Sequence, residues 1–380
     1  MRYPSRVVRV RSLIVGSILC SFAGCKAFDR DRYHALLDAV GSEASVEDGA
    51  GACLQRTATD DAGCSLAIIP APPSALADQP TNGRTYTLAL QRLDIGPGSF
   101  GNWSQIGFDV DRRCTAPTAT PEQQSCRPMQ IVADGLDGRD NAFGGAIATS
   151  LLITRTLVDT EVTDGLQTGR LALGLRITEW GGGDDRNVSV DWLTLTNGRP
   201  PAGSTALTWD GRDTWTIDPG LSFAPSTTTP RARSSDAFVA CGYFVASFGD
   251  RVPLAFLNTG RLRMLSVDLV KLAGAFDPAN GGTTDLIGVW TRQNVIESLP
   301  WFDYCPPPIG PSGTFNDRID AISQAFDVLN NLSQNSAVAC NAATLALRLV
   351  WRPVTVEGVA STSFPQLNNC NSDGGAPVDP

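Results

Sequence analysis

From about Thr81 onward, apolar and polar positions alternate with a period of two in run after run. Tyr86, Leu88 and Leu90 alternate with Thr85, Thr87 and Ala89; Leu171, Leu173, Leu175 and Ile177 alternate with Ala172, Gly174, Arg176 and Thr178; Val188, Val190 and Trp192 alternate with Ser189 and Asp191. Successive side chains of an extended chain point to opposite faces, so each run predicts a strand with one buried side. Further strands are predicted over Trp103–Asp111, Leu207–Ile217 folded at Asp210-Gly211, Phe238–Phe248, Leu262–Leu272, Leu286–Trp290 and Leu345–Trp351. About ten strands punctuated by Gly, Pro, Asn and Asp predict a mainly β chain, an antiparallel β-sandwich of jelly-roll type.

Three segments depart from the alternation. Asp140-Asn141 precede the small and apolar run Ala142–Thr154, which suits a buried helix, and Thr291 is placed to cap a helix over Arg292–Leu299. Phe315, Ile319, Ile322, Phe326 and Leu329 recur at helical spacing after Thr314 and Asp317, an amphipathic helix expected to lie on the sandwich as a lid. Before Thr81, the small and polar stretch Val46–Gly63 and the prolines Pro70, Pro72, Pro73 and Pro80 predict a semi-extended spacer. The alternating body is expected to form one domain over 81–370, followed by a disordered tail at 371–380.

Composition adds exclusions. With 42% apolar and 18% charged residues the chain has enough material for a sizeable core. His34 is its single histidine, so His-dependent triads and multi-His metal sites are excluded, and His34 itself reads as an exposed side chain. Gly181-Gly182-Gly183 is followed by Asp184-Asp185, which would repel a phosphate.

The N-terminus carries an export pattern. Arg2, Arg6, Arg9 and Arg11 precede the apolar run Leu13–Ala23, which is too short to span a bilayer, and Phe22-Ala23-Gly24-Cys25 follows. This order resembles the signal of bacterial lipoproteins. The resemblance implies that residues 1–24 are removed and that Cys25 carries the lipid at the head of a tether over 25–80. Phe22 stands where such signals usually have Leu. Lys26 after the cysteine implies, by the same resemblance, sorting to the outer membrane. The formal charge is −9, from 30 basic against 39 acidic residues; loss of the four signal arginines leaves 26 against 39, and such a body is a poor match to nucleic acid.

Eight further cysteines outside the signal region, Cys53, Cys64, Cys114, Cys126, Cys241, Cys305, Cys340 and Cys370, are an even set that fits four disulfides in an oxidising compartment. Short loops make Cys53/Cys64 and Cys114/Cys126 the natural local pairs, and the other four cannot be ordered from sequence. No C-x-x-C is present to suggest zinc.

Acidic side chains supply the candidate chemistry. Asp109 and Asp111 lie two apart on a predicted strand, and Asp134, Asp137, Asp140 and Asn141 crowd the loop after Cys126. If a Cys114/Cys126 disulfide folds the connection between them back, four or five of their oxygens would form the hard-ligand environment that Ca²⁺ takes, although the spacing is not that of an EF-hand. The competing reading makes Asp134 and Asp137 turn residues, Asp140 a helix cap and Asp109/Asp111 a solvated face. Trp209-Asp210-Gly211-Arg212-Asp213-Thr214-Trp215 sets two indoles around two acids. It reads either as a carbohydrate platform of Trp209, Asp210, Asp213 and Trp215 or as a hairpin turn with the indoles as a cross-strand pair.

Ile106–Asp111, Asp137–Gly144, Trp209–Trp215 and Gly288–Arg292 also resemble recurring blocks of uncharacterised bacterial lipoproteins with a Cys-rich sandwich body. That resemblance spans roughly 81–370 and implies no activity. The expected object is therefore a lipid-anchored, non-catalytic envelope protein, held to a membrane through Cys25 and binding a carbohydrate or another envelope protein. The alternative is a carbohydrate-active enzyme with Glu179, Asp210 and Asp213 supplying paired carboxylates.

Overall fold

A computed structural model describes residues 54–365 and Cys370, apart from 61–62, 82, 96–102, 121–122, 152–161, 226, 250, 259 and 311. Cys25, Cys53 and the expected signal and tail lie outside the described residues. A short ribbon of β1 (Thr57–Thr59) and β2 (Ser65–Ala67) comes first, then β3 (Tyr86–Asp94), β4 (Leu171–Thr178), β5 (Asp185–Arg199), β6 (Thr214–Ile217) and β7 (Ala232–Ala240). The remaining strands are β8 (Tyr243–Ser247), β9 (Val252–Asn258), β10 (Arg261–Asp277), β11 (Gly281–Thr291), β12 (Ala342–Pro353) and β13 (Thr355–Val359).

The expected sandwich is replaced by a closed barrel. Strands pair antiparallel in the ring β5-β4-β3-β12-β11-β10-β8-β7, and β7 returns to β5 through Val188↔Ala237 and Trp192↔Ala232. Eight strands thus form a cylinder with no free edge. Two long strands make closure possible. The first half of β5 pairs with β7 and its end with β6, while β10 pairs first with β9 and, after a bulge between Asp268 and Lys271, with β8. Leu269 in that bulge has φ 53°, a left-handed turn that re-aims the strand. Period-two alternation is common to sandwiches and barrels, so it specifies strands without saying which strand meets which.

The same strands bury both faces. Phe244, Leu272, Leu286, Leu345, Leu347, Leu349 and Trp351 belong to the main core, where Trp192 meets Trp351 and Phe248 edge-to-face at 6.0 and 5.7 Å. Their neighbours Val245, Ala273, Ile287 and Ala346 point the other way and form a second cluster with Ile106 and Phe108. The segment around residues 103–141 therefore lies against the outer wall of the barrel. It is not the predicted strand: Trp103–Gln105 is a 3₁₀ turn, followed by irregular backbone. The segment lies close to the wall because Gly107 (φ +99°) has no side chain; a Cβ there would come 2.7 Å from the Ala346 Cβ.

Other expectations meet mixed outcomes. Thr291 caps the helix Arg292–Ser298 by accepting from the Asn294 N–H. The helix Ser312–Ser323 buries Phe315, Ile319 and Ile322 but ends before Phe326 and Leu329, which are buried in the following loop. The buried helix over Ala142–Thr154 is a π-helical turn Phe143–Ile147 and a 3₁₀ turn Ala148–Leu151, where described. Leu207–Ile217 is no hairpin: only Thr214–Ile217 is a strand, paired with β5 and, in parallel, with β13. Among the described residues no helix is long and apolar enough to cross a membrane.

The local disulfides are also corrected. Cys64 bonds to Cys114, Cys126 to Cys340 and Cys305 to Cys370, and Cys241 is disulfide-bonded as well. Folding brings distant partners within range: β1–β2 docks on the outer layer through Asp109 N–H to Ala67 O at 2.7 Å, which sets Cys64 beside Cys114. Part of the expected tether is accordingly body, with Leu66 and Ala67 buried.

Candidate metal centre

The outer layer is fixed to the barrel before any acid is placed. Arg348 on β12 grips Asp285 on β11 with two bonds of 2.7 and 2.9 Å, and the pair holds the segment through Gly107 N–H to Asp285 and Arg348 to the Gln105 carbonyl. Cys126–Cys340 ties the far end of the layer to the stretch leading into β12, across 214 residues. Between these points the chain turns back on itself, with Asp140 N–H bonded to Phe108 O at 3.1 Å.

That return brings together Asp109, Asp111 and Asp140, each buried, with carboxylate oxygens within 4.8 Å of one another. Oxygens that share one Ca²⁺ at 2.3–2.6 Å lie at most about 5 Å apart, so the spacing fits that ion. Asp140 Oδ2 accepts from Val110 N–H at 2.7 Å, Asp109 Oδ1 from Arg112 N–H at 2.6 Å and Asp111 Oδ1 from Arg113 N–H at 2.8 Å. Asp109 Oδ2 is buried with no hydrogen-bond partner, on a residue 5% exposed.

Two more acids complete the electrostatics. Asp134 accepts from the Thr115 N–H and interacts with Asp109, Asp111 and Asp327. Asp327 follows the helix Ser312–Ser323 and accepts from the Thr344 N–H at 2.8 Å and hydroxyl at 2.6 Å. Burial, reinforced by the neighbouring carboxylates, raises the whole set: Asp109 to about 7, Asp134 to about 9, Asp327 to about 7, and Asp140 well above the ordinary range. Burial also raises Asp111, against hydrogen bonds from Ser125 and the Arg113 backbone and the charge of Arg113. Three buried carboxylates and two half-buried ones, with so little positive charge among them, need protons or a cation.

Asp327 escaped sequence reading because it lies far along the chain. Its signal was a single acid set between the apolar residues Phe326, Val328 and Leu329, where a solvated side chain is out of place. The other expected ligands stand apart. Asp137 is exposed on a turn with φ 55°. Asn141 is spent on the backbone, its Oδ1 accepting from Gly144 and Ala346 and its Nδ2 donating to Trp103 O.

The tryptophan motif forms no platform. Trp215 is fully buried and Trp209 nearly so, packed 6.0 Å apart at 44°, and Trp209 Nε1 donates to Gln167. A sugar needs an exposed indole face, and these faces are in the core. Asp213 is buried and accepts from the N–H groups of Thr208 and Trp209, holding the left-handed turn at Trp209. Asp210 is exposed and ion-paired with Arg212, which holds its carboxyl below the usual range. Glu179 sits in a separate exposed turn.

Comparison with protein families, curated proteins and solved structures finds no match.

Proposed function

We propose that this chain is an exported, lipid-anchored envelope protein whose barrel is a non-catalytic binding module built around a structural Ca²⁺ held by Asp109, Asp111 and Asp140, with Asp134 and Asp327 adding negative charge. The observation that carries the metal is the buried Asp109 Oδ2, which has no donor and lies among other buried acids. A dication would satisfy that oxygen and cancel the repulsion together. The export reading draws on the basic-apolar-Cys25 order and on disulfides, which persist in oxidising compartments. The enzyme alternative lacks support, because Asp210 and Asp213 are committed to Arg212 and to backbone N–H groups.

Two experiments test the reading. Cys25→Ser should move the protein out of the membrane fraction or stall its maturation; unchanged retention with normal processing refutes the anchor. CaCl₂ at 100 times its dissociation constant should add ~2.7 kcal/mol and raise the melting temperature. A shift no larger than that given by matched ionic strength refutes the metal.

A further inference from the structure

Beside the acidic centre, and bordered by its Asp109, the β1–β2 ribbon and the outer layer leave a cleft of about 800 Å³ against the barrel wall. Clefts of this size are typical of small-ligand sites. Its walls concentrate positive charge in an acidic protein. Lys271, one of only two lysines in the chain, is exposed on the outer face of β10, and Arg112 and Arg113 line the same cleft. Neither the Lys271 ammonium nor the Arg112 guanidinium is engaged by an acid or carbonyl among the described residues. Arg113 reaches Gln334 at 3.3 Å, yet its Nε is buried without an acceptor.

The backbone holds the arginines in place at a cost. Arg112 has φ 58°, a conformation that non-glycine residues seldom adopt, and the Asp109 carboxylate stabilises it by accepting from its N–H. Cys114, the next residue but one, is locked to Cys64. Of the cleft's two acids, Asp60 Oδ1 accepts from the Cys64 N–H and Asp109 is buried. Unengaged cations on rigid backbone, with a buried donor lacking an acceptor, form a receptor for oxygen anions.

We propose that this cleft binds a ligand bearing an oxyanion, a phosphate or a carboxylate, through Arg112, Arg113 and Lys271. Asp109 borders both sites, but the three cations are not among the proposed Ca²⁺ ligands, so the anion reading does not require a bound metal. Calorimetric titration of the full protein with inorganic phosphate and with trigalacturonate, each in EDTA and again in CaCl₂, tests it. Binding of either probe in EDTA, weakening as salt rises, supports the proposal, and the arm that binds identifies the anion. Lys271→Gln and Arg112→Gln should each weaken binding about fivefold or more with an unchanged melting curve. Lys271→Gln lies on an exposed barrel position and provides the test if Arg112→Gln misfolds. Failure of both probes, binding that needs Ca²⁺, or full affinity in Lys271→Gln overturns the proposal. Loss of the Ca²⁺ melting shift alone refutes only the metal.

Discussion

A buried carboxylate oxygen without a donor must carry a proton or face a cation, and Asp109 Oδ2 is such an oxygen. Competition between the two gives a pH signature. In the unfolded chain Asp109, Asp134 and Asp327 titrate near 3.8; in the metal-free fold burial lifts them to about 7, 9 and 7. The folded state thus keeps protons that the unfolded chain releases. The stability that these protons secure is whole below 3.8 and is lost as pH rises through about 7 and then about 9. Denaturant unfolding in EDTA should give a lower stability at pH 9 than at pH 5, and saturating CaCl₂ should flatten that slope because the metal needs ionised ligands. Asp109→Asn keeps the shape and removes the charge: it should raise the stability of the EDTA-treated protein at pH 9 and abolish the Ca²⁺ response. A stability independent of pH in EDTA would mean that the cluster is neutralised in another way. Asp109, Asp111 and Asp140 were legible as a group from their density in the sequence, whereas Asp327 depended on a contact formed only in the fold.

At the scale of elements, local chemistry was the readable part. Thr291 announces its helix because capping needs only the next three residues, and the strands around Leu88, Leu173 and Leu347 announce themselves by alternation. The segments that misled carry apolar residues for another purpose. Ile106 and Phe108 alternate like a strand, yet their backbone is held by Ala67 O, Asp285 and Asp140, and no ladder forms. Trp209 and Trp215 flank a plausible hairpin turn, but Asp213 bonds back to Thr208 and Trp209 and turns the chain the other way. The disulfides escaped for the same reason as Asp327: nearest in sequence is not nearest in space. Cys126–Cys340 spans 214 residues, and Cys340→Ser should cost about 2–5 kcal/mol. Hydrogen exchange should quicken over residues 103–147 more than in β3, β4 and β5. Uniform quickening would show that the outer layer and the barrel open as one.

For the whole molecule the decisive contact is β7 on β5, which no local pattern encodes. Mainly β character was readable; the strand count was not, with about ten expected against thirteen among the described residues, and neither was closure, because a sandwich and a barrel use the same alternation. The ring is filled rather than hollow, so truncating its centre should be severe: Trp192→Ala, which removes the indole between Phe248 and Trp351, should cost about 3–5 kcal/mol in denaturant unfolding. A loss under 1 kcal/mol would imply that the interior readily repacks. Closure also decides where this protein can stick to itself. A ring satisfies its own ladder, so among the described residues the open edges belong to strands outside it: β9, which pairs only with β10, and β13, which hangs from β6 and is mostly exposed. Glu357 and the irregular register at Gly358 stand there as guards against edge-to-edge growth, and Val359 is half exposed. Glu357→Val should leave unfolding unchanged while light scattering rises with concentration, making β13 a point from which fibres would start.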